Sequence, residues 1–226
     1  SDAFIIIANP NAPGLKNGPA FTASPGFGIK ADGKEFLNSA TSGQDLKVWQ
    51  GFWLSHEFGH MMSLVDLYAY SGTAHRFVGE YSIMGLISGL GKDLFGWEKW
   101  ILGWLDDSQI VCVNSGVNRV TLSPLETSGG IKLLINPLTQ TSALVIENRS
   151  NAGYDVRIPK VGPLVYVVDT SIASGTGTIK VLPIIETDIS KLQLPLSVDN
   201  ELSYQNLKIK YVTKTNEGVT IEISKN

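Results

Sequence analysis

"WLSHEFGHMMSLVDLY", residues 53–68, carries two of the chain's three histidines, His56 and His60, with Glu57 directly after the first. On a helix, positions i and i+4 share a face, with Cβ atoms about 5–6 Å apart. Two imidazoles at that spacing can converge on one ion with bonds of about 2.0–2.1 Å. Glu57 then projects to the flank, where a carboxylate can hold a metal-bound water and take its proton. Gly59 lets a neighbour or a ligand approach the helix closely. Trp49, Trp53, His56 and His60 repeat at helical spacing, and the polar residues between Thr41 and Asp45 provide the expected helix start. A pair of histidines on a helix can also be ordinary satisfied core residues, so a metal reading needs a third ligand.

Three downstream residues compete for that place: Asp66, His75 and Glu80. Asp66 extends the pattern to H-E-x-x-H-x-x-S-x-x-D. If the helix ends near Ser63 and the chain turns back, its carboxylate can swing under the ion. Glu80 would need a second helix to present it, and "FVGEYSIMG" (77–85) does not read as one. His75, in the polar loop "YSGTAHR" (70–76), reads as exposed, with a secondary role in polarising a substrate carbonyl. Asp66 therefore ranks first and Glu80 second.

Working outward, all five tryptophans and all three histidines fall between residues 49 and 104. Beyond residue 106 the text changes to short β-branched runs separated by turn signals: "RVTLS", "KLLIN", "ALVIEN", "LVYVVD", "TIKVLP", "LKIKYVT" and "GVTIEIS". In the last two, apolar and polar residues alternate, and "NEG" (216–218) makes the turn. Before the histidine helix, "AFIIIA" reads as a strand, 9–25 as a Pro/Gly/Asn-rich loop, and "GFGIKADGKEFLNS" as a hairpin turning at Asp32-Gly33. A second helix is expected over Asp93 to Leu102, ending at Gly103. The expected fold class is α+β, with a catalytic domain over 1–105 and a β-rich, sandwich-like module over 106–226.

Composition narrows the function classes. Net charge is −3 and no basic run exceeds a residue or two, which argues against nucleic acid as partner. No apolar stretch approaches the roughly 20 residues needed to span a bilayer. A single cysteine, Cys112, rules out an internal disulfide; between valines in "IVCVN" it reads as a buried, small apolar residue. In the β-rich half, Glu147 and Asp169 read as turn caps or solvent-facing acids, and Arg149 as a surface ion-pair partner.

At this point the residues resemble a known family. "HEFGHMMSLVDLY" (56–68) followed by "EYSIMG" (80–85) is similar to the zinc peptidases with a metzincin-type active site. Within them, it most resembles the immune inhibitor A group of secreted bacterial metallopeptidases. "LFGWEKWILGWL" (94–105) resembles that group's lysine-containing helix ending in Leu-Gly-Trp. "ALVIENRSNAGYDVRIPKVGPLVYVVDTS" (143–171) resembles its Ile-Glu-Asn-Arg strand and the Val-rich strand after it. The resemblance covers roughly residues 50–171.

It implies a metzincin-like zinc-peptidase domain in which His56, His60 and Asp66 bind zinc and Glu57 is the general base. Met84 would lie in a tight turn beneath the metal, and His75 and Tyr81 could contact the oxyanion or substrate. It further implies a protein or peptide substrate, secretion from a bacterium, and an inhibitory prosegment as a possible partner. Calcium is compatible with such a protease, although no acidic loop has its ligand spacing. Two departures stand out. Ser63 occupies a position where related sites carry glycine for a left-handed turn, at a cost of about 1 kcal/mol. Residues 1–55 are also short for the subdomain that normally precedes the active-site helix; with no signal peptide ahead of "AFIIIA", the expectation is that an N-terminal part is missing. The rival function is a binding or adhesion protein that keeps the fold without the chemistry. Zinc content without cleavage would mark it.

Overall fold

The computed structural model describes residues 4–7, 9, 21–23, 29–36, 39–42, 45–183 and 195–225. They form a mixed α/β structure that is mostly sheet with few helices. The chain divides into two compact units, Ser1–Asp66 and Leu67–Asn226. Residues 67–105 thus group with the sheets that follow them. No helix among the described residues is long and apolar enough to cross a membrane.

In the first unit the strands are β1 (Phe4–Ile7), β2 (Phe21–Ala23), β3 (Ile29–Ala31), β4 (Lys34–Phe36) and β5 (Ser39–Ser42). β5 lies between β1, to which it is parallel, and β2, to which it is antiparallel. β3 and β4 form the expected hairpin. Asp32 and Gly33 both take positive φ, 50° and 74°, as a two-residue turn matched to strand twist requires. The loop expected over 9–25 lies outside the described residues except for 9 and 21–23. Helix α1 (Asp45–Trp49) starts at the last of the expected capping positions. Gln50, at φ 54°, interrupts the helical repeat before α2 (Gly51–Met61) begins. α2 lies near β2 and β5 and turns Trp53, His56, Glu57 and Gly59 inward.

In the second unit, helix α3 (Gly96–Ile101) occupies the core of the expected 93–102 segment. The strands that follow are β6 (Ile110–Cys112), β7 (Val117–Leu122), β8 (Leu133–Pro137), β9 (Ser142–Arg149), β10 (Gly162–Asp169), β11 (Ile179–Val181), β12 (Glu201–Tyr204), β13 (Leu207–Lys214) and β14 (Val219–Lys225). One sheet has the order β11-β10-β9-β8-β6 and the other β12-β13-β14-β7; every pairing is antiparallel except β6 with β8. Their apolar faces share one core, to which Leu134, Leu144, Ile146 and Val165 come from the first sheet and Leu122, Ile209, Tyr211 and Ile221 from the second. The alternation read in β13 and β14 sets this arrangement, with Leu207, Ile209, Tyr211, Val219, Ile221 and Ile223 all inward.

Three readings of side-chain placement are corrected. Cys112 is exposed, not buried. Strand residues alternate faces, and Val111 and Val113 take the core side, leaving Cys112 outward. Glu147 and Arg149 are fully buried rather than at the surface. β9 is covered on both faces, because the segment carrying α3 lies against the side opposite the shared core. There Glu147 Oε2 accepts the backbone N–H of Gly96 at 2.6 Å and the Tyr166 hydroxyl at 2.7 Å. Arg149 donates to the carbonyls of Leu94 and Asp93 and pairs with Glu147 and Asp155 at 2.9 and 2.5 Å. Burial opposes the guanidinium's charge, but the Glu147 and Asp155 carboxylates outweigh it and raise its proton affinity. Glu147 and the Tyr166 hydroxyl thus meet bare amide donors at the start of α3, the N–H groups of Gly96 and Trp97, which a six-residue helix cannot satisfy itself.

Candidate metal centre

The site is built within residues 56–66. α2 ends at Met61 in a Schellman turn: Ser63 N–H donates to the His60 carbonyl and Leu64 N–H to the Gly59 carbonyl, both at 2.9 Å. Ser63, the left-handed residue of that turn, has φ 72°. This is the backbone state that glycine adopts without steric cost. The reversal carries the Leu64 carbonyl to 2.9 Å from His60 Nδ1 and brings Asp66 back under the helix.

Three donor atoms meet there. His56 Nε2 and His60 Nε2 are 3.2 Å apart, and Asp66 Oδ1 lies 3.3 Å from the first and 3.1 Å from the second. The imidazoles stand edge to face, with planes at 87°. A tetrahedral zinc with bonds of about 2.0–2.1 Å has its ligand atoms about 3.3–3.4 Å apart. The observed triangle is within a few tenths of an ångström of one face of that tetrahedron. His56, Glu57 and Asp66 are buried and His60 is partly buried.

The electrostatics point the same way. A carbonyl oxygen only accepts, so His60 Nδ1 carries the proton it gives to Leu64, and in the neutral ring Nε2 presents a lone pair. That lone pair faces a second imidazole nitrogen and a carboxylate oxygen, an arrangement that repels itself unless a proton or a cation sits inside. Burial works against a charged His60, yet the hydrogen bonds to Asp66 and Leu64 and the charges of Asp66 and Glu57 outweigh it, raising its proton affinity. A carboxylate and two imidazoles, with one imidazole held through its other nitrogen, form a donor set suited to zinc. The fit is therefore good in distance, ligand type and supporting contact.

Among the described residues, His56, His60 and Asp66 form the group of close metal-ligating atoms. The remaining candidates lie in the unit 67–226. His75 is partly buried rather than exposed; burial lowers its proton affinity and a hydrogen bond to the Gly85 backbone opposes this. Glu80 is partly exposed. Tyr81 is 3% exposed, with its ring beside Phe95 and the Arg149 guanidinium. Met84 is fully buried in a tight turn closed by Gly85 N–H on the Ser82 carbonyl at 2.9 Å, and its own carbonyl accepts from Leu67 N–H at 3.0 Å. Ser82, at φ 64°, anchors that turn: its hydroxyl donates to Glu98 and accepts from Met84 N–H.

The Leu64 carbonyl was missed at the sequence level, since backbone groups carry no letter. Its signal was the helix end itself, because a turn closing at Ser63 returns the next carbonyl toward the last helical turn. Comparisons with protein-family models, curated proteins and solved structures return no match.

Proposed function

We propose that the chain is a zinc-dependent endopeptidase that holds its metal through His56 Nε2, His60 Nε2 and Asp66 Oδ1 and uses Glu57 as general base. The observation that carries this reading is the near-equilateral triangle of donor atoms, 3.1–3.3 Å on a side, beside a buried glutamate on the same helix. A zinc ion held by His56, His60 and Asp66 would supply a Lewis acid able to activate water and polarise a carbonyl. The Glu57 carboxylate takes the proton of the attacking water and returns it to the leaving amine. Leu64 holds His60 in the tautomer that leaves Nε2 available. The immune inhibitor A-type resemblance, a protein or peptide substrate and action outside a bacterial cell belong to the same proposal.

Casein digestion by the wild type and Glu57→Gln tests it. The variant keeps the shape and the ligands but cannot accept the proton. The expectation is a loss of at least about 100-fold in rate with zinc content unchanged. Equal digestion by both proteins would remove Glu57 from the mechanism.

A further inference from the structure

A cleft of about 830 Å³ in the unit 67–226 lies between the end of α3, the loop 125–131 and the short turn at Gly153–Asp155. Its lining includes two aromatic side chains left in solvent, Trp104 at 57% exposure and Tyr154 at 73%. Both stand on braced backbone. α3 ends in a second Schellman turn, with Gly103 N–H on the Trp100 carbonyl at 2.9 Å and Trp104 N–H on the Lys99 carbonyl at 2.8 Å. The side chain after such a turn usually packs back on the helix; that of Trp104 remains largely exposed. Tyr154 precedes Asp155, which is fully buried, paired to Arg149 and bonded to Asp93 N–H.

The cleft wall is also fixed. Lys132, 1% exposed, donates to the Pro124 carbonyl and the Thr127 hydroxyl, and Glu126 accepts from the backbone and hydroxyl of Ser150. The polar groups facing the space are mixed in kind: three carboxylates, Asp93, Asp106 and Glu126, one ammonium, Lys99, and neutral groups such as Ser108 and Gln109. Lys99 pairs with Asp93 at 2.6 Å, and Gln109 uses its side-chain oxygen on Asp106 N–H, leaving its amide N–H groups to donate. No cluster of cations lines it, as a phosphate or acidic polymer would require. Two exposed aromatic rings in a lining that also holds the apolar Leu105 and Leu125, with donors and acceptors interspersed, match a ligand that has C–H faces and many hydroxyls. The volume is toward the upper end of small-ligand pockets, with room for more than one ring.

We propose that this cleft binds a neutral glycan chain, with Trp104 and Tyr154 as stacking platforms and Gln109, Lys99 and Glu126 as hydroxyl partners. The proposal does not depend on the metal reading. The test is affinity electrophoresis of the full chain in gels containing pullulan, xyloglucan or galactomannan, with polygalacturonate and polylysine as charged comparisons. A pull-down on asialofetuin before and after enzymatic removal of its glycans separates a protein-borne glycan from a free polysaccharide. The expected result is retardation by at least one neutral polysaccharide, or capture by asialofetuin only while its glycans are present. Trp104→Ala should weaken binding at least tenfold and Tyr154→Ala several-fold, with circular dichroism and urea midpoint unchanged because both rings are exposed. No retardation together with no glycan-dependent capture, retardation by the charged polymers alone, or both variants binding like wild type would overturn it.

Discussion

Ser63 is the residue on which the candidate centre turns, because the left-handed step at φ 72° is what returns Asp66 to the two histidines. An L side chain in that state costs about 1–2 kcal/mol, whereas glycine adopts it freely at some entropic cost. Ser63→Gly should therefore stabilise the protein by about 1 kcal/mol, read as a Tm rise of about 2–4 °C. A fall in Tm would mean that the hydroxyl contributes more than the backbone strain removes. The histidines and Glu57 were legible from spacing alone, since a helix fixes which side chains share a face. Asp66 was legible only as one of three candidates. A ligand beyond the helix depends on the turn's dihedral angles, which a serine does not announce.

Among the elements, α3 shows how a six-residue helix is held by groups outside itself. Glu98 accepts Phe95 N–H at 2.8 Å and the Ser82 hydroxyl at 2.9 Å, tying the helix start to the Met84 turn. Burial drives the Glu98 carboxyl up to about 7, against those two hydrogen bonds and the Arg149 charge. A carboxyl raised in the folded state binds more protons there than when unfolded. Its stabilising share is thus present below the unfolded value near 4.5 and fades as pH rises through about 7. Urea unfolding at pH 5 and pH 8 should show the wild type losing a few kcal/mol relative to Glu98→Gln across that window. A constant difference between the two proteins would show that the Glu98 carboxyl is not raised in the folded state. None of this was legible in the sequence. "ALVIENRS" reads as a strand, but four apolar residues followed by four polar ones cannot show that the face carrying Glu147 and Arg149 is covered as well.

At the scale of the molecule, the strands were readable and their order was not. The runs from "RVTLS" to "GVTIEIS" become β7 to β11, β13 and β14 close to where they were expected, because alternation is local. That β6 runs parallel to β8, and that β14 sits between β13 and β7, depends on pairings far apart in the chain. Ile221 is fully buried in the core the two sheets share, so Ile221→Ala should cost about 2–5 kcal/mol in urea unfolding. A loss under about 0.5 kcal/mol would mean that the core is not packed as described. The account as a whole rests on one ion held by one helix and the turn behind it. Zinc stoichiometry of the purified wild type, Asp66→Ala and Glu80→Ala proteins tests this most directly. The prediction is about one zinc per chain in the wild type and in Glu80→Ala, with almost none in Asp66→Ala. Zinc absent from the wild type, or retained when Asp66 is removed, would contradict the site.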